Sequence, residues 1–360
     1  MNLSALFAPL GKAISFVKKP DAYLCLDLGS HSVKLLEIEA LDEPRLIRGG
    51  VSRLPDSALG SSVMQNPDAV MEGIKDLKAR LRPKARLVLT SVPGPSAIIK
   101  KLTVPKSSEL GAAIEKEAAH MIPESLDRVQ WDYQILDGDQ GSGDVVEVLL
   151  AAVKKEIIER TIELIREAGW EPALIDVDYF ALENLFDATH PGAEGVVALL
   201  SIGSRATLID IIRNGRSAFR GDISIGGREF TEAIMEQARV PFDEAETIKT
   251  KAWEAGVIPN ELASPLESTI ESLVQEVKRS LSLYWTFAME EQVSSVYLCG
   301  GGTMVPGLSG HMERGLNVPV KVLDPLQALK LGPGVGSDLG ALSPLLTVGA
   351  GLSFRRMDDR

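Results

Sequence analysis

One short pattern occurs twice in this 360-residue chain, and it restricts the choice of folds more than any other feature. Residues 26–38 read LDLGSHSVKLLEI and residues 200–212 read LSIGSRATLIDII. Gly29 falls on Gly203, Ser30 on Ser204, and the flanking apolar positions keep step. An apolar run, a short Gly/Ser turn and a second apolar run read as a β-hairpin. The glycine lets backbone N–H groups approach an anion closely, and small hydroxyl residues such as Ser30 and Ser32 add donors. Asp27, just before the first turn, is placed to orient a metal ion or its waters beside that anion. Lys34 stands on the outgoing strand, while His31 either meets a phosphate or faces solvent. Two such hairpins in one chain imply two similar halves facing a shared cleft.

A chain of this length exceeds the usual limit of one core, so two domains are expected. Only 5% of residues are aromatic, which argues against a surface that stacks bases, and a net charge of −12 disfavours broad nucleic-acid binding. Cys25 and Cys299 each lie in an apolar strand next to glycine and read as buried, reduced thiols. The four histidines, His31, His120, His190 and His311, have no metal-ligand spacing. No run approaches the ~18 apolar residues of a membrane span. In residues 1–20 the lysines follow the apolar positions instead of preceding them, which argues against a cleaved export signal. That amphipathic segment reads as a helix docked on the protein or lying on a membrane surface, interrupted by Pro9 and Gly11.

Along the chain, residues 66–82 carry Val70, Ile74, Leu77 and Leu81 on one helical face, and a strand at 85–92 ends at Pro93-Gly94-Pro95. Then comes a β-α-β-β-α block: strand 97–104, helix 108–122, strands 129–136 and 145–153, and helix 154–168 stopping at Gly169. A strand at 173–177, a helix at 178–187, the second hairpin and a strand near 217–223 follow. Residues 225–292 are helix-rich. Ser264-Pro265-Leu266-Glu267 reads as a capping box opening a long helix that runs to about Glu290. A strand at 295–299 runs into Gly300-Gly301-Gly302, residues 332–344 look like a loop, and a last helix spans 344–354.

Asp27-x-Gly29-Ser30-x-x-x-Lys34 resembles the first phosphate loop of the actin-like ATPase superfamily. The repeat at 201–207 and the glycine segment at 300–308 stand in that superfamily's order, the latter resembling its adenosine motif. A strand ending in glycines lets the backbone lie flat against a base and ribose. LDLGSHSVKLLEIE, AIEKEAAHMIPESLDRVQWDYQIL and FRGDISIGGREFTEAI narrow the resemblance to the type IV pilus assembly protein PilM family, relatives of FtsA. The resemblance spans roughly residues 22–353. It implies an α/β, actin-like (ribonuclease H-like) two-domain fold with duplicated halves around a nucleotide cleft and an inserted subdomain. The expected divisions are residues 21–95 with 171–195 (first domain), 96–170 (insertion), 196–224 with 293–360 (second domain) and 225–292 (a helix-rich subdomain).

The resemblance further implies ATP and Mg2+ as cofactors. Asp27, Gly29, Ser30, His31, Ser32 and Lys34 would hold nucleotide from the first half, and Gly203, Ser204, Arg205 and Thr207 from the second. Gly226 and Gly227 resemble the second-domain glycine turn, and Gly300, Gly301, Gly302 and Thr303 the adenosine segment. Lys278, Arg279 and Ser282 stand where relatives contact ribose and base; their other reading is a solvated helix face. Asp178 would face magnesium through water, with Asp27, and is the second candidate catalytic acid; its rival role is a helix N-cap. Ser201 departs from the pattern, because the second phosphate loop usually begins with aspartate, so binding is expected with weak or absent hydrolysis. The implied function is a cytoplasmic adaptor at the inner face of the inner membrane. It would hold the cytoplasmic N-terminal peptide of a PilN-like inner-membrane protein between first domain and insertion, alongside other pilus-assembly components. No nucleic-acid partner is expected, membrane association would run through partners, and self-association stays open. A filament-forming FtsA-like division protein and an actin-fold ATPase or small-molecule kinase are the alternatives.

Overall fold

Two sheets share one strand order, and that shared order is the sequence repeat made visible. A computed structural model describes residues 21–56, 65–106, 109–136, 145–288, 292–336 and 338–355. The expectation for residues 1–20 lies outside the described residues.

In the first half, β1 (Ala22–Leu28), β2 (Ser32–Glu39) and β3 (Arg45–Arg53) form an antiparallel meander, followed by α1 (Pro67–Leu81) and β4 (Leu87–Val92). The insertion runs through β5 (Ala97–Pro105), α2 (Leu110–Met121), β6 (Val129–Ile135) and β7 (Val145–Lys154). The chain returns through α3 (Lys155–Glu167), β8 (Glu171–Val177) and α4 (Asp178–Thr189). The second half opens with β9 (Val196–Ile202), β10 (Thr207–Arg213) and β11 (Arg216–Ile223), then α5 (Gly227–Ala238), α6 (Phe242–Ala255) and α7 (Asn260–Ala288). It continues through β12 (Ser295–Cys299), α8 (Leu308–Leu316) and β13 (Val320–Val322). Last come β14 (Lys330–Leu331), α9 (Asp338–Ala341) and α10 (Thr347–Leu352).

The first sheet orders its strands β14-β3-β2-β1-β4-β8 and the second β11-β10-β9-β12-β13. Each half therefore has an antiparallel hairpin meander whose first strand pairs in parallel with a fourth strand, which in turn pairs in parallel with a fifth. The insertion is a separate three-stranded sheet, β5-β7-β6, with its own core around Leu102, Ile114, Val148 and Leu150. The central strands are buried on both faces, which is why β1 and β9 read as continuous apolar runs. Helix α1 follows its signals closely: the Asn66 side chain caps Ala69 N at 3.1 Å, and Val70, Ile74 and Leu77 are fully buried.

Four elements differ from the sequence reading. Helix α7 begins at Asn260, so Pro265 sits inside the helix and the Ser264 capping box does not form its start. Leu262, Leu266, Ile270, Leu273 and Val277 make an uninterrupted buried stripe, and that burial outweighs the backbone bond the proline removes. Strand β3, polar and split by Gly49-Gly50, carries little alternation and goes unmarked in the sequence. The C-terminal stretch assigned to the second domain instead returns to the first: β14 pairs with β3, and α10 packs on α4. A Cβ on Gly351 would lie 1.9 Å from the Ala181 carbonyl oxygen, so only glycine permits this approach. The segment expected as a loop at 332–344 carries α9.

Candidate functional site

The two hairpin turns have matching geometry. Gly29 N–H donates to the Ser32 carbonyl at 3.1 Å, and Gly203 N–H donates to the Ala206 carbonyl at 2.9 Å. Their flanking pairs differ in charge. In the first hairpin Asp27 lies opposite Lys34, with Lys34 Nζ 3.2 Å from Asp27 Oδ2 and both residues buried. In the second, Ser201 lies opposite Leu208, so the equivalent position holds neither acid nor base.

Both turns line one cleft of about 840 Å³. From the first half it takes Asp27, Gly29, Ser30, His31, Ser32 and Lys34, and from the second Gly203, Ser204 and Arg205. Gly227, Gly300, Gly301 and Gly302 complete the expected set at its walls. Gly300 has φ +82°, and a Cβ there would sit 2.6 Å from the Ile202 carbonyl oxygen, so β12 can end flat against β9 only with glycine. Thr347 Oγ1 accepts from Gly300 N at 3.2 Å and fixes that turn from α10.

The second turn is braced from behind by α5. Gly227 N and Arg228 N each donate at 2.8 Å, to the Gly203 and Ser204 carbonyls respectively. A Cβ on Gly226 would come 2.6 Å from the Ser204 carbonyl oxygen, which makes Gly226 a spacer for this turn and no part of the cleft lining. Lys249 Nζ, buried on α6, donates to the Gly227 carbonyl at 3.0 Å and to Thr231 Oγ1 at 2.6 Å, and pairs with Glu246 Oε2 at 2.6 Å.

At the cleft floor, Asp178 opens α4 and accepts from Ser91 Oγ at 2.6 Å. Burial and then the nearby Asp27 carboxylate push its pKa up to about 7. Lys34 pairs with Asp27 while Asp178 is only about half ionised at pH 7, and a divalent cation held nearby through water would favour its ionised form. No group of three or more metal-ligating side chains exists among the described residues. At the rim, burial lowers the His31 pKa to about 4, against the pull of Glu246 3.7 Å away, so the imidazole is neutral at pH 7. Burial alone would raise Glu246, but the Lys249 ammonium prevails and holds it below the usual carboxylate range.

Other expected residues lie elsewhere. Thr207 is fully buried, its hydroxyl donating to the Ile225 carbonyl at 2.7 Å, and Thr303 Oγ1 donates to the Gly300 carbonyl at 2.8 Å; neither lines the cleft. Lys278, Arg279 and Ser282 are exposed on α7 outside the cleft, with Arg279 pairing Glu276 on its own helix and Ser282 donating to the Lys278 carbonyl. Helix α6 supplies the wall instead, through Glu246, Lys249, Thr250 and Trp253. Their signal in the sequence is faint: a lysine three residues after a glutamate on a helix normally reads as a solvated pair.

Mirrored glycine hairpins at the C-terminal ends of β1 and β9, facing one cleft between duplicated halves, define a protein of actin-like ATPase fold. Solved structures at low identity agree on that fold. The ethanolamine utilization protein EutJ from Carboxydothermus hydrogenoformans aligns at 17% identity and TM-score 0.59, covering 94% of this chain and 91% of that one. MreB5 of Spiroplasma citri, bound to AMPPNP, aligns at 15% identity and TM-score 0.52, covering 93% and 95%. Within this class the chain belongs to the type IV pilus assembly protein PilM family, whose model matches residues 25–357. It is also similar to a chain of a PilM–PilN type IV pilus biogenesis complex, at 26% identity and TM-score 0.82, covering 94% of this chain and 99% of that one.

Proposed function

We propose that this pilus-assembly protein is an ATP-binding adaptor whose cleft holds one nucleotide, with Mg2+, between its two halves. The observation that carries the reading is the pair of matching glycine turns lining a single cleft from opposite sides. A cleft of about 840 Å³ has the size of a cofactor site, and its glycines leave room that side chains would fill. Lys34 would set its ammonium against the β- and γ-phosphates, and the two turns would direct backbone donors to the same groups. Magnesium would neutralise phosphate charge near Asp27 and Asp178. Lys249, Thr250 and Trp253 would form the wall against ribose and base.

Ser201 removes the acid that would position an attacking water from the second turn, so the site favours occupancy over turnover. Occupancy then biases the angle between the halves, and that angle sets the form that binds the partner. The partner is the cytoplasmic N-terminal peptide of a PilN-like inner-membrane protein, seated between the first domain and the insertion. The protein would thus work in the cytoplasm at the inner face of the inner membrane. Calorimetric titration of the folded protein with Mg-ATP tests the nucleotide half, with one site per chain expected. A pull-down with the partner's tail peptide, with and without ATP, tests the coupling; retention that ignores the nucleotide would refute it.

A further inference from the structure

The cleft is bounded by two kinds of contact between the halves, and they differ in depth. On the side of β11 and α4 the ties are the more deeply buried, with the Arg220 and Glu183 side chains 13% and 17% exposed. Arg220 of β11 donates to Glu183 of α4 from both Nε (3.0 Å) and Nη2 (2.5 Å), and Tyr179 OH donates to the Gly221 carbonyl at 2.7 Å. Beside the glycine turns, in a smaller pocket that shares Ser30, His31 and Ser204 with the cleft, the ties are more exposed and converge on one carboxylate. Asp56 follows β3 in the first half. Its Oδ1 accepts from Arg205 Nη2 at 3.2 Å and from Arg228 Nη1, and its carbonyl accepts from Arg205 at 2.6 Å. Arg205 belongs to the second glycine turn, and Arg228 to the first turn of α5, which braces it.

We propose that Asp56 is a latch that closes the mouth of the cleft by holding both arginines, and so sets how fast an anionic nucleotide enters and leaves. This rests on the reading of the cleft as a nucleotide site. Neighbouring contacts cannot substitute for it. His31 faces Glu246 as a neutral imidazole at 3.7 Å, and Arg53 reaches only the uncharged Thr250 hydroxyl at 3.1 Å. Among the described residues, Asp56 brings a negative charge from the first half to two cations of the second. Because these pairs are the more solvated, water competes for them more strongly, so they part before the ties between β11 and α4 yield. Releasing Arg205 also turns a cation toward incoming phosphates. Loss of the latch therefore accelerates association as well as dissociation.

The test is rapid mixing of the full chain with a fluorescent N-methylanthraniloyl ATP and Mg2+. Asp56→Asn is expected to raise the dissociation rate about two- to twenty-fold, with the association rate also rising, since each of the two partly solvated pairs is worth up to about fivefold. Asp56→Glu should restore most of the original rates, which a merely structural role would not do. Unchanged rates in a folded Asp56→Asn protein would overturn the proposal. A second readout needs no nucleotide: spin labels on Glu72→Cys and Glu236→Cys, exposed on α1 and α5, report the distance between halves. Asp56→Asn should lengthen and broaden that distance in the ligand-free protein, and an identical distribution would overturn the latch. If the unmodified chain binds no nucleotide while its label distance still responds to Asp56→Asn, the nucleotide reading fails and the latch stands.

Discussion

Lys34→Ala asks the sharpest question of the site. The Lys34 ammonium is 3.2 Å from Asp27 Oδ2, and its side chain is 11% exposed. It is also the cation that offsets Asp27 and Asp178 at the cleft floor. An ion pair at ~4 Å in an effective dielectric of about 20 is worth roughly 4 kcal/mol before desolvation. In the complex Lys34 serves a phosphate while already serving Asp27, so the net loss on its removal is about 1–3 kcal/mol. That corresponds to a Kd roughly 5- to 150-fold weaker for Mg-ATP. Calorimetry reads the constant, and circular dichroism checks that the variant remains folded with Asp27 unpaired. Lys34→Arg, which keeps the charge, should recover part of the loss. An affinity within twofold of the original in a folded Lys34→Ala protein would refute the reasoning and reduce Lys34 to a partner of Asp27.

The remaining predictions address the floor, the brace and the core. Asp178 has a folded pKa of about 7, above the ~3.9 of an unfolded aspartate, so between those values the native state binds a proton the unfolded state releases. Its contribution to stability is therefore complete below about pH 4 and is lost as pH rises through 7; urea melts of Asp178→Asn should show a flatter pH dependence across that window. Gly226→Ala should cost about 1–3 kcal/mol in urea unfolding and weaken nucleotide binding, because the added methyl meets the Ser204 carbonyl. Arg355 and Asp176 form a pair at 3.0 Å that is almost wholly buried, so Arg355→Ala should lower stability by about 3 kcal/mol or more, seen as a fall in Tm. Lys249→Ala should impair nucleotide binding, whereas Lys278→Ala, exposed on α7, should leave it within twofold.

How much of this was legible depended on whether the determinant was local. The two hairpins announce themselves through apolar runs around Gly29 and Gly203, and the repeat they form carries the duplicated architecture. The start of the insertion was legible because Pro93-Gly94-Pro95 precedes it, but its end was not: α3, read as part of the block up to Gly169, packs Leu164 and Ile165 into the first domain's core. Contributions assembled over distance were not. Lys249 reaches the cleft because α6 packs on α5, and the exposed face of α7 carries the more suggestive lysine and arginine of VQEVKRSLS. Strand β14 is two residues long and exists through pairing with β3, while α10 reaches the first half through glycines such as Gly351 whose close approach no pattern encodes. The proline in α7 illustrates the same limit. A local start signal at Ser264 lost to a stripe of buried leucines and valines running from Leu262.

A crystal structure of the protein with AMPPNP and Mg2+ would address the shared-cleft reading most directly. The triphosphate is expected to lie between residues 29–32 and 203–206, with Lys34 Nζ on its outer phosphates and the base against α6. Nucleotide bound at another surface, or phosphates touching one turn while the other stays remote, would contradict it.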